Sequence, residues 1–165
     1  MARSFRGSSE QTMDGKGRVS VPAAFRRVIE ACDPDWSEGQ RANLVIIYGG
    51  AAQKQLQCYT MEAIDEIDRR IRRMKVGSDE RNKLTHLFTG LAVPLQVFED
   101  GRIVLPIMLR KKLDLDDQAY FIAAGDYFEI WKPETFAAAS SGYDEWIAAQ
   151  GPGFDPMSLL PDLED

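Results

Sequence analysis

Asp14 and Arg18 flank two glycines in the run Asp14-Gly-Lys-Gly-Arg18-Val-Ser-Val-Pro22. An arginine offers a rigid fork of N–H donors, which suits the paired acceptors of a phosphate or a base edge. Gly15 and Gly17 allow the backbone to turn with positive φ and let a ligand come close. In the competing reading, Asp14 only ties Arg18 back and holds the turn shut; exposed pairs of this kind are individually weak. Residue types alone do not separate the two.

The unit occurs twice. Gly17 and Gly101, Arg18 and Arg102, Pro22 and Pro106, and Arg26 and Arg110 are related by one constant offset. Duplication favours binding, because paired basic turns can read repeated sites along a duplex. The second copy departs from the first at its acid. Phe98 stands where Asp14 would be, and Glu99 and Asp100 are shifted into the turn. Around Lys16 and Arg18, the basic residues Arg3, Arg6, Arg26 and Arg27 complete a locally basic first thirty residues.

Other chemistry has little to stand on. His86 is the single histidine and has no serine or cysteine nucleophile nearby in sequence. Cys32 and Cys58 fit no zinc spacing and are read as reduced thiols. Gly15-Lys16-Gly17-Arg18 is too short for a nucleotide-binding fingerprint. Catalysis, a metal, a cofactor and a small-molecule substrate are therefore not expected. Nor is a membrane span, since no apolar run approaches the required length of about 18 residues.

The net charge of −6 speaks superficially against a polyanionic partner. All of it resides in the tail, where residues 141–165 hold six acids (Asp144, Glu145, Asp155, Asp162, Glu164, Asp165) and no Lys or Arg. The rest of the chain is neutral, so a basic surface can exist on an acidic protein.

The elements that would position these residues follow from period and punctuation. Glu10–Met13 and Val19–Val21 read as strands around the first turn, and Pro22 opens a short helix. Leu44–Tyr48 and Leu56–Tyr59 read as two further strands. From Met61 the period becomes helical, with Ile64, Ile67, Ile71 and Met74 on one face. Arg69, Arg70, Arg72, Arg73 and Lys75 occupy the other, a solvated face answered by Glu62, Asp65, Glu66 and Asp68. Ser78 or Asp79 caps a second helix carrying Leu84, Leu87, Phe88 and Leu91. Gln96–Phe98, Ile103–Leu105, Pro106–Leu113, Tyr120–Ala123 and Phe128–Trp131 then repeat the first pattern. A last helix opens at Pro133 and breaks near Ser140–Gly142, with disorder expected beyond Gln150. Four segments result: residues 1–60, a first module with a basic arm; 61–91, connecting helices in a hairpin; 92–133, a second module; and 134–165, a C-terminal helix with an acidic tail.

Phe5-Arg6-Gly7, the Asp14-xxx-Arg18 box with its Val-Pro, Gly101-Arg102-Ile-Val-Leu-Pro106 and Glu129-Ile-Trp131, taken in this order, resemble the MraZ family over roughly Phe5 to Trp146. The resemblance implies an α+β fold of two tandem AbrB-like (SpoVT-AbrB) modules forming a pseudo-symmetric, swapped-hairpin-like β core. It also implies ring-shaped homo-oligomers in the cytoplasm, associated with the nucleoid. Proteins of this family are transcriptional regulators, generally repressors, that bind double-stranded promoter DNA at repeated short boxes ahead of the division and cell wall gene cluster, which includes their own gene. Their DNA-binding box falls here on Asp14 and Arg18; Arg102 is carried over without its acid. On this basis Arg6, Lys16 and Arg26 are expected at phosphates, and Arg18 and Arg102 at base edges. The alternative is a ring-forming scaffold in which the Arg18 turn serves the fold.

Overall fold

The computed structural model describes residues 4–163, so Arg3, Glu164 and Asp165 lie outside the described residues. The chain is α+β and divides into two compact units, one reaching Pro133 and one beginning at Glu134.

The first unit holds eight antiparallel strands. Strands β1 (Ser8–Thr12), β2 (Arg18–Ser20), β3 (Asn43–Ile47) and β4 (Gln55–Thr60), with helix α1 (Ala23–Ala31), come from the first repeat. Strands β5 (Ala92–Gln96), β6 (Arg102–Val104), β7 (Gln118–Ala123) and β8 (Tyr127–Trp131), with α4 (Ile107–Leu113), come from the second. Six strands form one sheet in the order β1-β7-β8-β4-β3-β5, and β2 and β6 form a separate two-stranded ribbon. The two repeats exchange partners. β1 pairs with β7 and β5 with β3, β4 pairs with β8 at the centre, and β2 pairs with β6.

This exchange places the core between the repeats. Leu44, Ile46, Leu56, Phe121, Phe128 and Ile130 project from one face of the sheet. Against them pack Val19, Val21, Phe25 and Ile29 from the first repeat and Ile103, Leu105, Leu109 and Leu113 from the second. Phe5 lies inside this core, 5.4 Å from the Phe25 ring and 5.1 Å from Phe128. The basic arm of the first module is thus pinned at Phe5, which also bridges to Gly125, and β1 begins at Ser8. A single apolar residue among polar ones carries no period from which this could be read.

On the opposite face, helix α2 (Met61–Arg72) covers Ile47 and Tyr59 with Ile64 and Ile67. Thr60 caps it, accepting from the Ala63 N–H. After Ser78, which caps α3 (Asp79–Thr85), the expected second helix is not continuous but widens into a π-helical turn, His86–Gly90. Thr85 and Thr89 bond back to the carbonyls of Arg81 and Thr85, a substitution that bends helices. The lead-in strand expected at Gln96–Phe98 lies earlier, at Ala92–Gln96. β5 is an edge strand, where Pro94 is tolerated because its missing N–H faces no partner.

Helix α5 (Pro133–Ser140) opens on the last residue of the first unit and continues in the second, which also holds α6 (Tyr143–Ala149), separated from it at the expected break. Disorder after Gln150 is not what the structure shows. A 3-10 turn spans Pro156–Leu159, and the Asp155 carboxylate accepts from Met157 N–H at its start. Proline opens this turn as well as depleting apolar contacts, which composition alone does not reveal.

Candidate nucleic-acid interface

In the β2–β6 ribbon Arg18 lies opposite Val104, Val19 opposite Ile103 and Ser20 opposite Arg102. Side chains alternate along a strand. Val19 and Ile103 are buried in the core, so Arg18, Ser20, Arg102 and Val104 share the outer face. Arg18 and Arg102 are diagonal neighbours, a relation that sets Cα atoms roughly 7–8 Å apart. Leu105 N–H donates to Gly17 O (2.9 Å) and Val21 N–H to Gly101 O (3.0 Å), extending the ladder at both ends. One turn therefore stands at each end of the ribbon, and a groove of about 420 Å³ is lined by Arg18, Phe98, Glu99, Asp100, Arg102 and Val104.

The turns share a backbone. Gly17 N–H donates to Asp14 O and Gly101 N–H to Phe98 O, and both glycines have positive φ, 85° and 81°. Their side chains differ. In the first turn one Asp14 oxygen accepts from the N–H groups of Lys16 (3.0 Å) and Arg18 (2.9 Å), and the other from Arg18 Nε (2.5 Å). These contacts lower the Asp14 carboxyl from 3.8 to about 2, the Arg18 N–H contributing most and its guanidinium next.

In the second turn Asp100 partly replaces the missing acid. Its Oδ1 accepts from Arg102 N–H at 3.2 Å, and its Oδ2 lies 3.7 Å from Arg102 Nε. The expectation that Arg102 lacks an acidic partner is corrected accordingly. The partner comes from inside the turn and holds the side chain loosely. Arg41, from the loop before β3, lies over the Phe98 ring at 4.3 Å and donates to Glu99 at 2.8 Å. That bond holds the Glu99 carboxyl below its usual value. Sequence reasoning missed Arg41. Its partners are far along the chain, and nothing local marks it.

Each turn is also buttressed by the other repeat. Arg110 Nε donates to Leu105 O (3.0 Å), and its Nη1 to Gly15 O (3.3 Å). Arg26 takes the equivalent place against Gly101, where an added Cβ would lie 2.5 Å from its Nη1. Its Nε has no hydrogen-bond partner among the described residues, so this second buttress is less well tied. The sequence paired Arg26 with Arg110 by offset but not with the opposite turns.

Of the expected site residues, the structure brings Asp14, Lys16, Arg18 and Arg102 to the ribbon, with Arg26 behind it. Arg6 is exposed at the far end of β1 from the first turn, a strand length or roughly 20 Å away. Among the described residues no ion pair joins Arg69, Arg70, Arg72, Arg73 or Lys75 to the acids of α2. The acids nonetheless stand one turn from the bases, Asp65 from Arg69, Glu66 from Arg70 and Asp68 from Arg72, and Arg72 acts on Asp68 through its charge rather than by direct contact. Among the described residues no His, Cys, Asp and Glu group could hold a metal ion, and no helix is long and apolar enough to cross a membrane.

The family described as "MraZ protein, putative antitoxin-like" matches residues 89–146. The whole chain resembles proteins named Transcriptional regulator MraZ. It is 51% identical over 161 residues to that of Ruegeria pomeroyi, covering 97% of this chain and 96% of the relative. For Ruegeria sp. TM1040 the identity is 49% over 161 residues, with the same coverage. For Acidithiobacillus ferrooxidans it is 31% over 163 residues, covering 96% and 98%. The class these findings define is a transcriptional regulator, not an enzyme. The chain belongs to the MraZ family.

Proposed function

We propose that the chain regulates transcription by laying the outer face of the β2–β6 ribbon on double-stranded promoter DNA. The observation that carries this is the ribbon's geometry: Arg18 and Arg102 stand on one exposed face, each on a glycine turn. A two-stranded ribbon fits the major groove of B-form DNA, about 12 Å wide. Arg18, held in place by Asp14, is presented as a fixed fork to a base edge; Lys16, exposed at the tip of the same turn, meets a phosphate. Arg26 acts by holding the second turn, and Arg6 meets backbone beyond the ribbon.

The two repeats are read as AbrB-like modules that swap hairpins, which is consistent with the exchange of strands. Copies assemble into a ring, so that individually weak turns engage repeated boxes together and gain from effective concentration. The target is the promoter of the division and cell wall gene cluster, including the chain's own gene, and the effect is repression in a cytoplasmic, nucleoid-associated complex. Binding falls steeply with salt despite the acidic net charge, because phosphate contacts release counterions.

A scaffold reading has one observation in its favour: Asp14 satisfies three donors of its own turn, which would be enough to explain Arg18 as structural. Anisotropy of the full chain on its own upstream duplex, wild type against Arg18→Ala, with light scattering on the same samples, separates the two. Loss of binding by an intact assembly supports the regulator. Loss of the assembly supports the scaffold, and no preference for the upstream duplex at any salt overturns the regulator.

A further inference from the structure

The two DNA-facing arginines are held in different ways. Arg18 is tied through its Nε to an acid that also fixes two N–H groups of its turn, so its position is set before any ligand arrives. The Arg102 side chain has only a long contact with its acid, 3.7 Å from Nε to Asp100 Oδ2. The other acid lining the groove, Glu99, is drawn to Arg41. Arg41 is itself seated on Phe98, the residue that replaced the aspartate. The substitution therefore has two effects. It leaves the second arginine loosely held, and it builds a platform on which Arg41 offsets the charge of an acid lining the groove.

A fixed fork suits base-edge recognition, where donor geometry must match two acceptors. A loosely held arginine in a groove of reduced negative charge suits a phosphodiester, whose oxygens accept from many directions and carry no sequence information. We propose that the second turn is a phosphate-holding site in which Arg102 grips the DNA backbone beside the bases read by Arg18. Arg41 is its positioning residue, keeping Glu99 away from the phosphate. This assignment rests on the DNA-binding reading above and divides the labour of the ribbon between its two ends.

The test is a salt titration of the full chain by anisotropy on two duplexes, its own upstream sequence and a scrambled one of equal length, with folding checked by circular dichroism. Arg102→Ala is expected to weaken binding to both duplexes by the same factor. It should reduce the slope of log affinity against log salt by about 0.9 for each engaged copy. Arg102→Lys keeps the charge and should restore most of the slope. Phe98→Asp recreates the first turn's acid; it should capture Arg102 and lower the slope likewise while keeping the preference for the upstream duplex. Arg41→Ala should weaken both duplexes, and adding Glu99→Gln should recover the loss. The proposal is overturned if Arg102→Ala erases the preference between duplexes while the slope stays unchanged, for Arg102 would then read bases. It is equally overturned if Phe98→Asp leaves the slope at the wild-type value. If wild type binds neither duplex, the DNA-binding reading itself fails, an outcome distinct from both.

Discussion

Asp14 carries the chemistry of the first turn, and its titration is the most specific consequence at the residue scale. Its carboxyl is lowered from 3.8 to about 2, with the Arg18 N–H as the largest cause. A depressed carboxyl stabilises the fold at pH above the unfolded value, and that contribution is lost as pH falls through about 2. Neutral pH leaves the turn fully tied, so DNA binding should not vary with this group in the physiological range. NMR titration of the Asp14 side chain should give a midpoint near 2. In Arg18→Ala it should rise yet stay below 3.8, since the N–H at position 18 remains. A wild-type midpoint at 3.8 or above contradicts the geometry described. The Asp14–Arg18 pair itself was legible in sequence, because its partners are four residues apart. The Arg41–Glu99 bond, across 58 residues, was not.

Among the elements, the ribbon is the part most exposed to small changes. A Cβ at Gly17 would sit 2.4 Å from Leu105 O, a backbone atom that also accepts from Arg110, and φ is 85°. The atoms nearest a Cβ at Gly101 belong to the flexible Arg26 guanidinium rather than to backbone, so they can shift aside. At Gly15 nothing lies within 4 Å of the added atom. Gly17→Ala should therefore cost the most in chemical denaturation, on the order of 2–3 kcal/mol, and Gly101→Ala about 1 kcal/mol from backbone strain. Gly15→Ala should stay within about 0.5 kcal/mol. Equal losses at all three would show that the cross-repeat contacts do not hold the turns. Sequence punctuation located both turns and both helices, since glycine and proline act locally. It misplaced β5 because Pro94 reads as a strand breaker unless the strand is known to lie at an edge.

On the scale of the whole molecule, the repeats are joined by exchange. The first strand of each pairs with the third strand of the other, and the ribbon takes one strand from each. Neither repeat completes a sheet alone, which fits the small core either could bury. An alternating pattern tells which face of a strand is buried but not which strand lies beside it. The duplication was thus plain in the residues, whereas the strand partners across it were not; only the family resemblance pointed to a swapped core. The same limit applies to Phe5, whose core position depends on rings contributed by α1 and β8.

Two basic surfaces compete for a polyanion, the ribbon and the exposed arginines of α2, and arginine-selective labelling distinguishes them directly. Phenylglyoxal modification of the full chain, read by mass spectrometry with and without its upstream duplex, should show Arg18 and Arg102 protected by DNA. Arg69, Arg70, Arg72 and Arg73 should label equally in both conditions. Protection of the α2 arginines, with Arg18 and Arg102 as reactive as before, would contradict DNA binding by the ribbon and move the interface to the opposite face of the sheet.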